Sequence, residues 1–101
     1  MVTLTPEQKQ VWDTMRPHEA KPSDGQTLEQ ASNFAVLSFL HWCAFDGLRP
    51  EPTREAVAAE FVAAGAPELA PPDSFWEDLR RAPGQIWTLS PRGTDAWEPP
   101  S

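Results

Sequence analysis

Histidine and cysteine, the residues that most often bind transition metals, are scarce in this sequence. The single cysteine is Cys43, so the chain cannot form a disulfide within itself. The two histidines are His18 and His41. His41 and Cys43 are two residues apart, and side chains at that spacing do not share a helix face. Neither Cys-x-x-Cys nor His-x-x-x-His occurs, so we expect no metal site, no cofactor and no catalytic residues.

Glycine clusters and long apolar segments are missing too. The five glycines are isolated from one another, which argues against a phosphate-binding loop. The first residues, MVTLTPEQKQ, lack the basic start and apolar run of a signal peptide. The most apolar stretch is too short and too polar at its start to cross a bilayer, which needs about 20 predominantly apolar residues. We therefore expect a cytoplasmic protein that does not enter a membrane.

Positive charge is the third scarce property. Eight Lys and Arg residues face 15 Asp and Glu residues, which gives a net charge of −7 and a pI near 4.6. Such a balance repels phosphate backbones, so direct binding of nucleic acid is not expected except through a local basic patch. The carboxylates are dispersed, often at predicted helix starts. They form either a solvated surface or a surface that meets a basic partner.

The stretch from Thr27 to Gly47 is where apolar residues concentrate. Thr27 and Gln30 have the spacing of a capping box, and Gly47 can adopt the left-handed geometry that often ends a helix. Between residues 34 and 45 the only polar side chains are Ser38 and His41. A helix that is apolar nearly all round is usually buried. The sequence therefore predicts a central buried helix over 28–46.

Shorter helices are predicted on both sides of this one. A capping box of Thr5 and Gln8 begins an N-terminal helix over 5–16, whose narrow apolar stripe predicts that it lies on the core surface. Residues 17–26 form a polar linker, which we expect to be the most flexible segment. Thr53 caps a third helix that ends near Gly65, with a buried side predicted from its spacing: Ala56, Val57, Phe61 and Val62.

The last part of the chain predicts a short helix followed by a strand. Ser74 and Glu77 have capping-box spacing, so the helix begins at Ser74 and ends near residue 82. Residues 85–89 are β-branched and aromatic, which predicts a strand or a hairpin near 85–97. The chain of 101 residues has the size of one domain. We predict a mainly α fold of four to five short helices, with a compact core over 27–98.

The order of helices 28–46, 54–64 and 74–82, then strand 85–89 and the turn Leu-Ser-Pro-Arg-Gly at 89–93, resembles the winged helix-turn-helix superfamily over 28–97. The resemblance implies that the helix from Ser74 occupies the recognition position and that Arg92 lies in the wing. Glu77 and Asp78 depart from a DNA-reading helix, because phosphate contacts need unopposed Lys or Arg. A winged-helix scaffold used for protein contact fits better.

The preferred hypothesis is a non-enzymatic protein-interaction or regulatory module. One form of it is an acidic inhibitor or immunity-type protein that binds a basic, nucleic-acid-handling partner. The alternatives are a transcription regulator that contacts DNA through Arg80, Arg81 and Arg92, which could dimerise, and a small enzyme or ligand carrier with a pocket at His41, Trp42 and Phe45. The predicted partner-binding residues are Trp76, Glu77, Arg80, Arg81 and Arg92.

Overall fold

The fold is known from a computed structural model, which describes residues 3–81. These residues form four α-helices and two short 3-10 turns at Pro17–Glu19 and Pro67–Leu69. The helices are α1 (Pro6–Met15), α2 (Leu28–Phe45), α3 (Arg54–Ala63) and α4 (Asp73–Arg81). The prediction of a mainly helical chain is confirmed. Residues 3–81 contain no strand and do not support a winged helix, and the predicted strand or hairpin at 85–97 lies outside them.

The helix starts follow from local side-chain chemistry. In α1 the backbone N–H of Gln8 donates to Thr5 Oγ1 over 3.2 Å, and the N–H of Thr5 donates to Gln8 Oε1 over 3.0 Å. Thr27 and Gln30 repeat this reciprocal arrangement at the start of α2. The capping boxes predicted at Thr5 and Thr27 are therefore present, whereas Ser74, predicted to cap α4, lies inside that helix. The fourth helix begins at Asp73, one residue before the start predicted at Ser74.

Helix α2 supplies most of the described core, but it is not buried on every side. Val36, Phe39 and Cys43 are fully buried, whereas Phe34 on another face is 45% exposed. The expectation of burial all round was too strong, because a small chain has little apolar surface with which to cover a helix. The helix ends at Phe45, and Gly47 follows with a φ of 69°, the left-handed geometry expected of it.

Helix α1 lies on the core and is anchored in it by the Trp12 side chain. The Trp12 side chain is 1% exposed and meets Phe39 of α2 and Phe61 of α3 edge-to-face, at centroid distances of 5.0 and 5.5 Å. Lys9 Nζ is 2.6 Å from Glu60 Oε1, which joins α1 to α3 on the surface. Six of the ten residues of α1 are exposed, so the helix lies on the core as its narrow stripe predicted, and the Trp12 indole anchors it there.

The remaining segments attach to this three-helix core at particular residues. Pro17, at the start of the predicted linker, is buried, and the Pro17–Glu19 turn lies against α2. In α3, Ala56, Val57 and Phe61 are buried as predicted, but Val62 is 62% exposed because it falls beside the buried stripe. An ion pair between Arg54 and Asp73 links the starts of α3 and α4.

Candidate functional site

The predicted contact residues on α4 divide between two faces. Trp76 is half-buried and packs against the core together with Phe75 and Leu79. The Phe75 and Trp76 rings meet edge-to-face with centroids 5.0 Å apart. Because the indole faces the core, Trp76 contributes to attaching α4 as well as to any surface that α4 offers.

The charged residues of α4 are on its exposed side and carry both signs. Glu77, Arg80 and Arg81 are all exposed, as is Asp78. Arg81 Nη2 lies 3.9 Å from Glu77 Oε2, one helical turn away. The structure thus brings Glu77, Arg80 and Arg81 onto one short helix, with acidic neighbours beside the two arginines. Arg92, the fifth predicted contact residue, lies outside the described residues.

A groove between α1 and the end of α2 is the largest candidate site that we find among the described residues. Its volume is about 590 Å³. One wall is a single face of α1, since its residues follow the spacing i, i+3, i+4, i+7 and i+8. The opposite wall is Trp42 and Asp46, one turn apart on α2, followed by Leu48. The α1 wall consists of Glu7, Gln10, Val11, Thr14 and Met15.

The other faces of α1 explain why this one remains open. Gln8 and Trp12 point into the core and are 2% and 1% exposed. Lys9 and Asp13 lie toward α3, where Lys9 pairs with Glu60 as well as with Asp13. The third face of α1 therefore meets the groove. Its apolar side chains are held in place, because Val11, Met15 and Leu48 are half-buried and pack against the core.

The groove has an apolar floor and an acidic rim. Val11, Met15, Trp42 and Leu48 form the floor, and no Lys or Arg is among the lining residues. Glu7 and Asp46 are exposed, and within residues 3–81 neither forms an ion pair. The last turn of α2 has no basic side chain, so the negative end of its dipole adds to the field of Asp46. The rim therefore favours a cation.

Sequence reasoning did not find this groove. It assigned Trp42 to a possible pocket with His41 and Phe45, and it treated Val11 and Met15 only as a core stripe. His41 is fully buried, and the groove that Trp42 lines does not include it. The spacing of Glu7, Val11 and Met15 already placed them on one face, but no local signal in the sequence says that the end of α2 lies opposite.

The remaining reactive groups are buried or paired with each other. Burial, with a smaller contribution from nearby Asp46, raises the pKa of the Cys43 thiol to about 12, so the thiol is protonated at neutral pH. His18 stacks on Trp12 at a centroid distance of 6.0 Å. Beside it is a cleft of about 260 Å³, where Lys9 forms ion pairs with both Asp13 and Glu60. Among residues 3–81 no three His, Cys, Asp or Glu side chains are grouped as metal ligands would be.

Two further findings concern membrane spans and similarity to known proteins. None of the described helices combines the length and the apolar character needed to cross a bilayer. The chain matches no protein-family model, no curated protein and no solved structure.

Proposed function

We propose that this protein is a non-enzymatic binding module that regulates a basic protein partner. The observation that carries the proposal is the imbalance of unpaired charge over residues 3–81. Most basic side chains there already pair with carboxylates: Lys9, Arg16, Arg49, Arg54 and Arg81. Many exposed carboxylates in the same range form no ion pair: Glu7, Asp24, Glu29, Asp46, Glu55, Glu68 and Asp78.

This imbalance has a direct consequence for association. Local pairing cancels much of the positive charge, while the unpaired carboxylates leave a negative field that extends about one Debye length into solution. Such a field attracts basic proteins, speeds their encounter and repels phosphate backbones. Proteins that handle nucleic acids carry basic surfaces of this kind. The more specific proposal is therefore an acidic inhibitor or immunity-type protein that covers the basic surface of such a partner.

The α4 surface is compatible with this role and less suited to DNA. Glu77 beside Arg81, and Asp78 on the same helix, give a face of mixed sign. A phosphate backbone would meet repulsion there as well as attraction. A protein surface of mixed charge can match both signs. Trp76, Glu77, Arg80, Arg81 and Arg92 thus stay the predicted contact residues of a protein interface, and DNA binding through the arginines is the second prediction.

Affinity purification of the tagged full-length chain from its native cells, with and without crosslinking, tests the proposal. We expect a basic protein to be retained at low ionic strength and released as salt rises. Reconstitution with the purified partner follows, in which we expect affinity to fall steeply between about 0.05 and 0.5 M salt because the Debye length shortens over that range. Addition of the chain should also reduce nucleic-acid binding by the partner.

Two results would contradict the proposal. One is the absence of any retained protein under both conditions. The other is a reconstituted complex whose affinity does not depend on salt. Gel-shift titration of the chain alone with duplex DNA at low salt is the parallel measurement, and DNA binding that is lost in the variant R80A/R81A would favour the transcription-regulator prediction instead.

A further inference from the structure

We propose that the groove between α1 and the end of α2 binds an amphipathic helix of the partner, whose apolar side chains contact Val11, Met15, Trp42 and Leu48 and whose Lys or Arg side chains lie beside Glu7 and Asp46. This inference rests on the proposed function, since it assigns a second surface, besides the α4 contact residues, that meets the basic partner. It also names the chemistry of the partner segment. A segment that is apolar on one face and basic at its edges is the complement of this groove.

The first support is the combination of a firm apolar floor with open space above it. Val11, Met15 and Leu48 are half-buried and pack against the core. A volume of about 590 Å³ remains above them. Helix-in-groove complexes bury apolar anchors at the spacing i, i+3 or i+4, and i+7 in sites of this kind. Helix α1, which provides this wall, is 10 residues long, about 15 Å, and this length matches a partner helix of about three turns.

The second support is charge. The acidic groups on the rim are Glu7 and Asp46, the lining includes no base, and the C-terminal end of the α2 dipole has the same sign. The cation of α1, Lys9, points away and is held by Glu60. Among the described lining residues no side-chain cation opposes Glu7 and Asp46, so the rim is acidic. A Lys or Arg side chain that lies across the rim can extend its apolar stem over the floor and keep its charged group near the carboxylates.

Charge also distinguishes the partner helix from two rival occupants. The part of this chain beyond residue 81 has one basic residue, Arg92, against Asp95 and Glu98, so its charge does not complement the rim. A second copy of the chain would bring another molecule of net charge −7 against an acidic surface. A second copy would be repelled most at low salt, where the basic partner is attracted most strongly.

The test uses the full-length ¹⁵N-labelled chain and a synthetic peptide of about 12 residues, with Leu at i, i+4 and i+7 and Lys at the remaining positions. Chemical-shift changes on titration should be concentrated at Val11, Met15, Leu48 and the Trp42 indole. A second peptide with Ala in place of Leu keeps the charge and should bind at least roughly tenfold more weakly, because the apolar anchors carry the affinity.

A matched pair of variants tests the rim. The variant E7Q/D46N should weaken the Leu-Lys peptide roughly three- to tenfold, whereas E55Q/D24N removes the same charge elsewhere and should change the affinity less than about twofold. Glu55 is the second residue of α3, as Glu7 is the second residue of α1, so the two glutamine changes have similar helix-terminal costs. M15Q is an independent variant of the floor and should also weaken binding.

The assignment is wrong under any of four results. These are equal binding of the Leu and Ala peptides, equal effects of the two charge variants, shifts spread over other faces, and contacts in the free protein between the groove and either residues 82–101 or a second copy. The reconstituted complex separates this inference from the proposed function. A partner that binds wild type and E7Q/D46N equally would remove the groove and leave the function, whereas failure to recover any basic partner would remove the function.

Discussion

Gln8 connects the start of α1 to the α2–α3 connection through one buried amide. Its Nε2 donates to the carbonyl oxygen of Pro50 over 2.5 Å, across 42 positions of sequence. Its Oε1 at the same time accepts the N–H of Thr5 over 3.0 Å. The side chain is only 2% exposed, so water cannot readily replace either bond. The residue that completes a local cap thus also fixes α1, and with it one wall of the groove, against the rest of the chain.

The first prediction concerns this double role. Gln8→Ala should lower the free energy of unfolding by about 2 kcal/mol, because it removes a capping interaction and the bond from the buried Gln8 amide to the Pro50 carbonyl. Gln30→Ala is the matched control, since Gln30 occupies the same position in the α2 capping box but is exposed. It should cost only about 0.5 kcal/mol. Urea unfolding measures both, and equal costs would show that the Pro50 bond contributes nothing.

Trp12 gives the second prediction, which tests whether α1 is part of the core. Trp12→Phe should cost about 1–3 kcal/mol, since the smaller ring cannot fill the space between Phe39 and Phe61. In wild type, the α1 amides should exchange with solvent in the same cooperative unit as those of α2. Val62→Ala is the control, because Val62 is 62% exposed, and should stay within about 0.5 kcal/mol.

The exchange experiment would also reveal an α1 that detaches from the core by itself. If α1 detached by itself, its amides would exchange much faster than those of α2, and Trp12→Phe would leave the protection of α2 unchanged. That result would show that the Trp12 contacts do not hold α1 to the core, and it would also make the α1 wall of the groove a movable one.

Gln8 and Trp12 also show what the sequence can and cannot predict. The capping boxes at Thr5 and Thr27 were predictable because each joins residues only three apart. The bond from Gln8 to Pro50, and the contacts of Trp12 with two other helices, depend on how helices are placed in space. No periodicity encodes that placement. The groove shares this property, since it combines a face of α1 with the end of α2.

In the α4 region, too, a helix was predictable from nearby residues, whereas contacts between distant residues were not. The spacing of Ser74 and Glu77 predicted a short helix there, and the structure confirms a helix that begins one residue earlier. The pairing of Asp73 with Arg54 was not predictable, because it depends on where α3 begins in space. The strand at 85–89 and the position of Arg92 remain predictions.

Cys43 gives the third prediction. Its thiol should not react with Ellman's reagent in the native state, because the side chain is 0% exposed and burial holds its pKa near 12, above the ordinary value of 9.0. Reaction should become rapid only in denaturant. The control is the same reaction in fully unfolding urea, and native labelling at a comparable rate would show that the thiol is accessible.

The raised pKa also predicts a dependence of stability on pH. Between about pH 9 and 12 the folded chain keeps the Cys43 proton that the unfolded chain has lost, so the free energy of unfolding falls as pH rises through this window. The stability advantage of wild type over Cys43→Ala should therefore shrink above pH 9. Lys9, whose pKa is raised mainly by its hydrogen bond to Glu60, titrates in both proteins and cancels in the comparison.

Ser38 gives the last prediction, which concerns the polar residues inside α2. Its side chain is 4% exposed, and its Oγ has no hydrogen-bond partner among residues 3–81. Ser38→Ala removes a buried hydroxyl and introduces a better helix former, so it should raise the free energy of unfolding by about 0.5–1 kcal/mol. Ser32→Ala should act in the same direction, because Ser32 is 1% exposed and its Oγ is likewise without a partner in that range. Ser74→Ala, at the exposed N-terminal turn of α4, removes no buried hydroxyl and should not raise the free energy of unfolding. Thermal and urea unfolding of the three variants decide the matter, and a loss of stability in Ser38→Ala would mean that its hydroxyl is hydrogen-bonded in solution.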